Sequence, residues 1–189
     1  MISLGVDYSI TSPCVCGLPK DSQLPSSAGF AFYEGKKIHR SLTHEKMHVV
    51  IKPTWRYELE RFIHNSDIVL DAVQQIGASN IHKVVLEGYS FGSTGAVFNI
   101  AENVGVLKYR LNEEFGINES NKLIIIAPPS LKKFATGDGR AKKDHMYKAW
   151  LKVGGYDLKT LLAQKEDANP LSDIVDSYWL AKFGFKENA

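Results

Sequence analysis

Cysteine is scarce in this 189-residue chain, which carries only Cys14 and Cys16. Two cysteines build no disulfide framework, and a lone C-x-C without a second ligand pair is not a zinc site. On a strand the two share one face and are expected to pack as small apolar side chains. Long apolar runs are also missing. The longest, Leu123 to Ala127, stops at Pro128-Pro129, far short of the roughly 20 residues a bilayer span needs. The first residues, Met1-Ile-Ser-Leu-Gly-Val-Asp, lack the basic start and apolar stretch of a signal peptide. The expectation is a soluble protein of the cytoplasm with no membrane partner. Internal repeats and domain linkers are absent too. With 44% hydrophobic residues, the chain is too apolar to be disordered and is read as one domain over 1–189.

Net charge is only +2, yet its distribution is uneven. Between Ser130 and Lys152 stand seven bases, Lys132, Lys133, Arg140, Lys142, Lys143, Lys148 and Lys152, against Asp138 and Asp144. A basic stripe on a near-neutral protein suits a phosphate-bearing partner, and equally a solvated helix face.

Periodicity predicts strands at Ile2–Val6, Cys14–Leu18 and Gly29–Tyr33. A hairpin turn is predicted at Glu34-Gly35, with a further strand after it. Helical spacing runs from Trp55 to Ile76, closed by Gly77, and from Val97 to Phe115, closed by Gly116. Buried strands are predicted at Lys83–Glu87 and Lys122–Ala127, and Gly88–Gly95 reads as a loop. A basic helix is predicted over Arg140–Val153, a short one over Leu158–Gln164, and a last one from Pro170 to about Lys182. Early strands followed by strand–helix alternation describe an α/β domain with a mixed central sheet flanked by helices.

Acidic residues end up where such a fold gathers its site. Asp7 closes the first strand, Glu87 closes Lys83–Glu87, and Asp173 and Asp176 share one face of the last helix at i and i+3. Each alone reads equally as a turn or helix cap. Together, four carboxylates repel unless a cation lies between them, and oxygen-only ligands suit Mg²⁺ or Mn²⁺. Two such ions clamp the attacking and leaving oxygens in phosphodiester hydrolysis. Beside a basic stripe, the set points to a metal-dependent nuclease.

Four motifs now carry a family resemblance: Gly5-Val-Asp7-Tyr-Ser9, Val85-Leu-Glu87-Gly, Lys132-Lys133-Phe-Ala-Thr136-Gly137-Asp-Gly139-Arg140-Ala141-Lys142-Lys143, and Asp173-Ile-Val-Asp176. In this order the sequence resembles the RuvC-like Holliday junction resolvases, in particular those of bacteriophages. The resemblance implies an RNase H-like fold, a homodimer, and Mg²⁺-dependent cutting of four-way junctions and other branched DNA, with two ions per site and Mn²⁺ as a substitute. For a phage-encoded member the location would be the host cytoplasm. It implies that Asp7, Glu87, Asp173 and Asp176 are catalytic metal ligands, that Lys143 lies near the scissile phosphate, and that Lys132 contacts DNA. Lys133, Gly137, Gly139, Arg140 and Lys142 fall in the same DNA-binding motif, its glycines letting the backbone approach a phosphate.

The sequence departs from the family in one loop. Where several cellular members carry an aromatic wedge, this chain has Ser90 flanked by Tyr89 and Phe91, which are the candidates to enter the junction. The segment Glu34–Ile51, with His39, His44 and His48, matches nothing, and its histidines are expected at the surface. His145 either touches DNA or faces solvent. Three rivals stand beside this reading. A flap or debranching nuclease would use the same site. A small actin-like ATP-binding module would need a glycine-rich phosphate loop after the first strand, where Tyr8-Ser-Ile-Thr-Ser-Pro13 stands instead; no nucleotide cofactor is expected. A non-enzymatic DNA-binding protein would gain nothing from four acids that repel phosphate.

Overall fold

The computed structural model describes residues 1–34, 45–88, 97–164 and 169–186. Six strands form one sheet: β1 (Ile2–Asp7), β2 (Cys14–Pro19), β3 (Gly29–Tyr33), β4 (Met47–Val50), β5 (Ile81–Glu87) and β6 (Leu123–Ile126). Their spatial order is β4-β3-β2-β1-β5-β6. β2 is antiparallel to β1 and to β3, whereas β5 runs parallel to β1, β6 to β5, and β4 to β3. Five strands therefore point the same way, and the ends of β1, β4, β5 and β6 lie along one sheet edge.

Six helices complete the fold: α1 (Glu58–Ile76), α2 (Val97–Phe115), α3 (Pro128–Thr136), α4 (Lys143–Lys152), α5 (Leu158–Leu162) and α6 (Leu171–Phe183). The strand period of two assigns the faces. Leu4, Val6, Val84 and Leu86 join one core with α1 and α2, while Cys14, Cys16, Leu18 and Val85 join a second with α4, α5 and α6. Ser3, Gly5 and Asp7 alternate with the first set, so they face α6. Gly5 makes that contact possible. A Cβ there would stand 2.0 Å from the Ser177 carbonyl oxygen and 2.1 Å from the Ala181 nitrogen of α6. Only glycine lets the last helix lie this close to β1, and that closeness carries Asp173 and Asp176 toward Asp7. Cys14 and Cys16 are fully buried and unbridged, as expected.

The hairpin turn predicted at Glu34-Gly35 and the strand expected after it run into 35–44, which with His39 and His44 lie outside the described residues. The next described strand, β4, is parallel to β3, with Phe30 opposite Met47, and His48 in it is exposed. One sequence expectation needs correction. Pro128-Pro129, read as a stop, instead opens α3. Proline lacks only an N–H that the first helical turn leaves unused. The basic stripe is thus divided between α3 and α4, and α4 starts at Lys143 rather than Arg140. Among the described residues no helix is long and apolar enough to cross a membrane.

Candidate active site

Asp7 ends β1 and Glu87 ends the neighbouring β5, both on the α6 side of the sheet. Asp173 and Asp176 stand in the first two turns of α6. Asp173 is buried and the other three are half-buried. Their electrostatics report their proximity. Burial first, then repulsion from Asp173, Asp176 and Glu87, pushes the Asp7 carboxyl well above the usual range, and Lys143 opposes the rise. Asp176 is pushed up to about 7 by burial, then by Glu87 and Asp173, against Lys143 and Lys132. Burial also raises Asp173 and Glu87; the Ser12 and Ser172 hydrogen bonds and Lys143 hold the first down, and Lys132 the second.

The four acids expected from the sequence are therefore brought into one electrostatic cluster with both lysines. Lys143, at the start of α4, donates to the Ser172 hydroxyl at 3.3 Å. Lys132, on α3, acts on Glu87 and Asp176. None of the remaining bases of the stripe is among the groups that act on the four acids. Lys133 and Lys142 are exposed, and the Arg140 side chain is 97% exposed, 4.0 Å from Asp138. Gly137 ends α3 in the left-handed region at φ +86°, which favours glycine. A Cβ on Gly139 would stand 3.0 Å from the Pro129 carbonyl oxygen. Both glycines thus serve the turn between α3 and α4. Thr136 and Asp138 accept the Asp138 and Arg140 amides there at 3.1 and 2.9 Å. His145 turns back to accept the Lys142 amide at 3.3 Å, a helix-capping role. Tyr89 and Phe91 lie outside the described residues.

An oxygen-only carboxylate set whose members oppose one another's ionisation suits a hard divalent cation, and by donor chemistry Mg²⁺ or Mn²⁺ fits it. As the side chains stand, no group of three or more His, Cys, Asp or Glu among the described residues is drawn together into a ligand set.

Sequence reasoning missed the residues that orient Asp173. The Ser12 hydroxyl, from the β1–β2 loop, donates to Asp173 Oδ2 at 2.8 Å and accepts from Asn169 Nδ2 at 2.6 Å. Ser9 Oγ accepts the Ser12 amide at 2.9 Å, and Ser172 Oγ lies 3.3 Å from Asp173 Oδ1. Asn65, buried on α1, grips the same loop through the Ile10 carbonyl at 2.9 Å. The loop that follows one catalytic candidate thus fixes another, 161 residues away. Ser12→Ala is expected to lower the cleavage rate about tenfold, the scale of one hydrogen bond to a charged group, while Ser12→Thr retains most of it. A Mg²⁺ titration of the rate checks this; Ser12→Ala cutting at the wild-type rate at every Mg²⁺ concentration refutes it.

No family model matches the sequence, and no curated protein does. Solved structures do. The chain is similar to Thermus thermophilus RuvC at 16% identity and a TM-score of 0.57, covering 96% of this chain and 91% of that one. It is likewise similar to T. thermophilus RuvC in complex with a Holliday junction substrate, at 16% identity and a TM-score of 0.58, covering 96% and 90%. The yeast mitochondrial Holliday junction resolvase Ydc2 aligns at 16% identity over 94% of this chain and 76% of its own, with a TM-score of 0.49. The mixed six-stranded sheet flanked by helices, with β1 and β5 ending side by side in acids, is the RuvC fold of the RNase H-like class.

Proposed function

We propose that the protein is a divalent-metal-dependent endonuclease that resolves four-way junctions and other branched DNA as a homodimer in the cytoplasm. The observation that carries this reading is the cluster of Asp7, Glu87, Asp173 and Asp176, opposed by Lys132 and Lys143, on a RuvC fold. The RuvC it resembles is known with a Holliday junction substrate. The four carboxylates would hold two Mg²⁺ ions, with Mn²⁺ able to substitute. When bound, the metal lowers the pKa of water and neutralises charge on the phosphate.

The chain's own residues supply the remainder. A water oxygen forms a bond to phosphorus, the P–O3′ bond breaks, and the products carry 5′-phosphate and 3′-hydroxyl ends. Lys143 is a compact charge beside Asp7, Asp173 and Asp176, suited to offset charge gathering on the phosphate. Lys132 does so from the Glu87 side. Lys133, Arg140 and Lys142 extend an exposed basic surface along which the DNA backbone can lie.

A four-way junction has two-fold symmetry, and a C₂ dimer matches it. The exposed stripe on α2 offers the self-contact: Phe98 is 82% and Tyr109 67% exposed, with Glu102 and Gly105 between them on the same side.

Incubation with a labelled immobile four-way junction tests the reading. Paired, symmetric nicks in Mg²⁺, and none in EDTA, are expected. Flaps cut as fast as junctions would favour the debranching nuclease instead, and no cleavage of any branched DNA would refute the enzyme. Lys143→Ala is expected to reduce kcat about 10²–10³-fold, the cost of losing a donor aimed at developing charge. It should also shift the acid limb of the pH–rate profile upward, because it removes the cation that favours ionised Asp7 and Asp176. Lys132→Ala is expected to cost about tenfold in rate, weaken binding, and reduce its salt slope by about one. Equal effects of both substitutions on rate would show that their positions do not divide the work.

A further inference from the structure

The sheet order places two charged surfaces on opposite sides of the carboxylates. α3 and α4 follow β6 at one end of the edge. At the other end, β4 delivers the stretch Ile51–Tyr57 to the same edge before α1 begins. This stretch is not part of any motif read from the sequence, and it is built as a cation–aromatic cluster. Lys52 Nζ lies 5.4 Å from the centre of the Trp55 ring, with the Arg61 guanidinium 5.6 Å from the same ring. Arg56 stands 5.9 Å from the Tyr57 ring, which is 56% exposed. The cluster is tied to the site. Lys52 Nζ donates to the Thr11 carbonyl oxygen at 2.7 Å, and Thr11 adjoins Ser12, the partner of Asp173.

The acids nearby act on the arginines. Glu60 pairs with Arg56 and Glu58 with Arg61, which fixes both guanidinium groups and leaves Lys52 with no carboxylate partner among the described residues. Burial, and then the Arg61 charge, lowers the pKa of Lys52. Two cations are therefore held near one indole, an arrangement that an arriving anion relieves.

We propose that Lys52 and Tyr57 form a second DNA-strand contact, Lys52 taking a backbone phosphate and the exposed Tyr57 ring a base of the strand that runs past the carboxylates away from α3 and α4. This rests on the nuclease reading above and adds the path of the strand. Trp55 holds the cations rather than a base, because it is half-buried with both Lys52 and Arg61 against its ring, whereas Tyr57 is exposed with Arg56 alone beside it. A base on Tyr57 would have to be unstacked from its neighbours, so the contact selects a strand that is single or frayed at a branch point over intact duplex.

The test uses the full chain in the Asp7→Asn background, so that substrate stays intact. Anisotropy titrations over a salt series would measure affinity for a four-way junction, a linear duplex and an oligothymidine, together with hydroxyl-radical footprints of the junction. Tyr57→Ala is expected to weaken junction and oligothymidine binding about tenfold with little change on duplex. Lys52→Gln is expected to lower the salt slope by about one, and Lys52→Arg to keep it. The footprint of either loss variant should shorten on one side of the cut site only, the side away from α3 and α4. Thermal melts matched to the parent show that each variant is folded. Parent binding with unchanged affinity, slope and footprint in both variants would overturn the contact while leaving the nuclease reading intact. A parent that binds no branched or single-stranded DNA would overturn both, and junction cleavage by the wild type would then be missing as well.

Discussion

Asp7→Asn is expected to reduce cleavage of a four-way junction by about 10³-fold or more, while junction binding stays equal or tightens. Removing one member of a catalytic set that acts together costs nearly as much as removing the set. Asp7 is the member most tightly bound into the cluster, since Asp173, Asp176 and Glu87 all act on it and Lys143 acts against them. It also ends the strand on which α6 rests through Gly5, so its carboxylate is held by the backbone rather than by a mobile loop. The binding half of the prediction follows from charge. A carboxylate beside a phosphate backbone repels it, and the neutral amide does not. A gel shift beside a cleavage time course in Mg²⁺ separates the two effects. Cleavage within tenfold of the wild-type rate would remove Asp7 from the site. Loss of binding together with loss of cleavage would show that Asp7 holds the fold or the DNA instead.

The parts of this site that the sequence discloses are those set by local rules. Strand alternation and helical spacing place Asp7, Glu87 and the Asp173/Asp176 pair on their elements, because each depends on neighbours two to four residues away. The helix carrying Lys132 escapes such rules. Its two opening prolines also mark chain stops, and only the packed structure decides between the two meanings. The parallel β4 escapes them as well, since no local pattern reports which edge of the sheet a strand will join. Ser12 has no local signature: its role exists only because α6 returns Asp173 to the β1–β2 loop, 161 positions on in the chain. The Lys52–Trp55–Arg61 cluster is hidden for the same reason, since its place beside the carboxylates comes from sheet order.

Crowded acids make a site that works against the fold, and Asp176 measures by how much. Its pKa is about 7 in the folded protein against an ordinary 3.8. Between those values the folded state binds more protons than the unfolded one, so stability falls as pH rises through the window. The full contribution is present below pH 4 and is lost above pH 7. A shift of this size corresponds to about 4 kcal/mol. Asp176→Asn removes the charge and keeps the shape. In EDTA at pH 8 it is expected to melt about 8–16 °C above the wild type, given about 2–4 °C per kcal/mol for a domain of this length. At pH 4 the two proteins should melt within a degree or two of each other. Mg²⁺ at pH 8 should raise the wild type more than the variant, because an ion that binds only the folded state stabilises by mass action, and the variant offers it one carboxylate fewer. Cleavage by Asp176→Asn should be lost under the same conditions. Calorimetric melts from pH 4 to 8, with and without Mg²⁺, decide the matter: a variant no more stable than the wild type at pH 8 would mean that Asp176 is not held in a repulsive cluster at all.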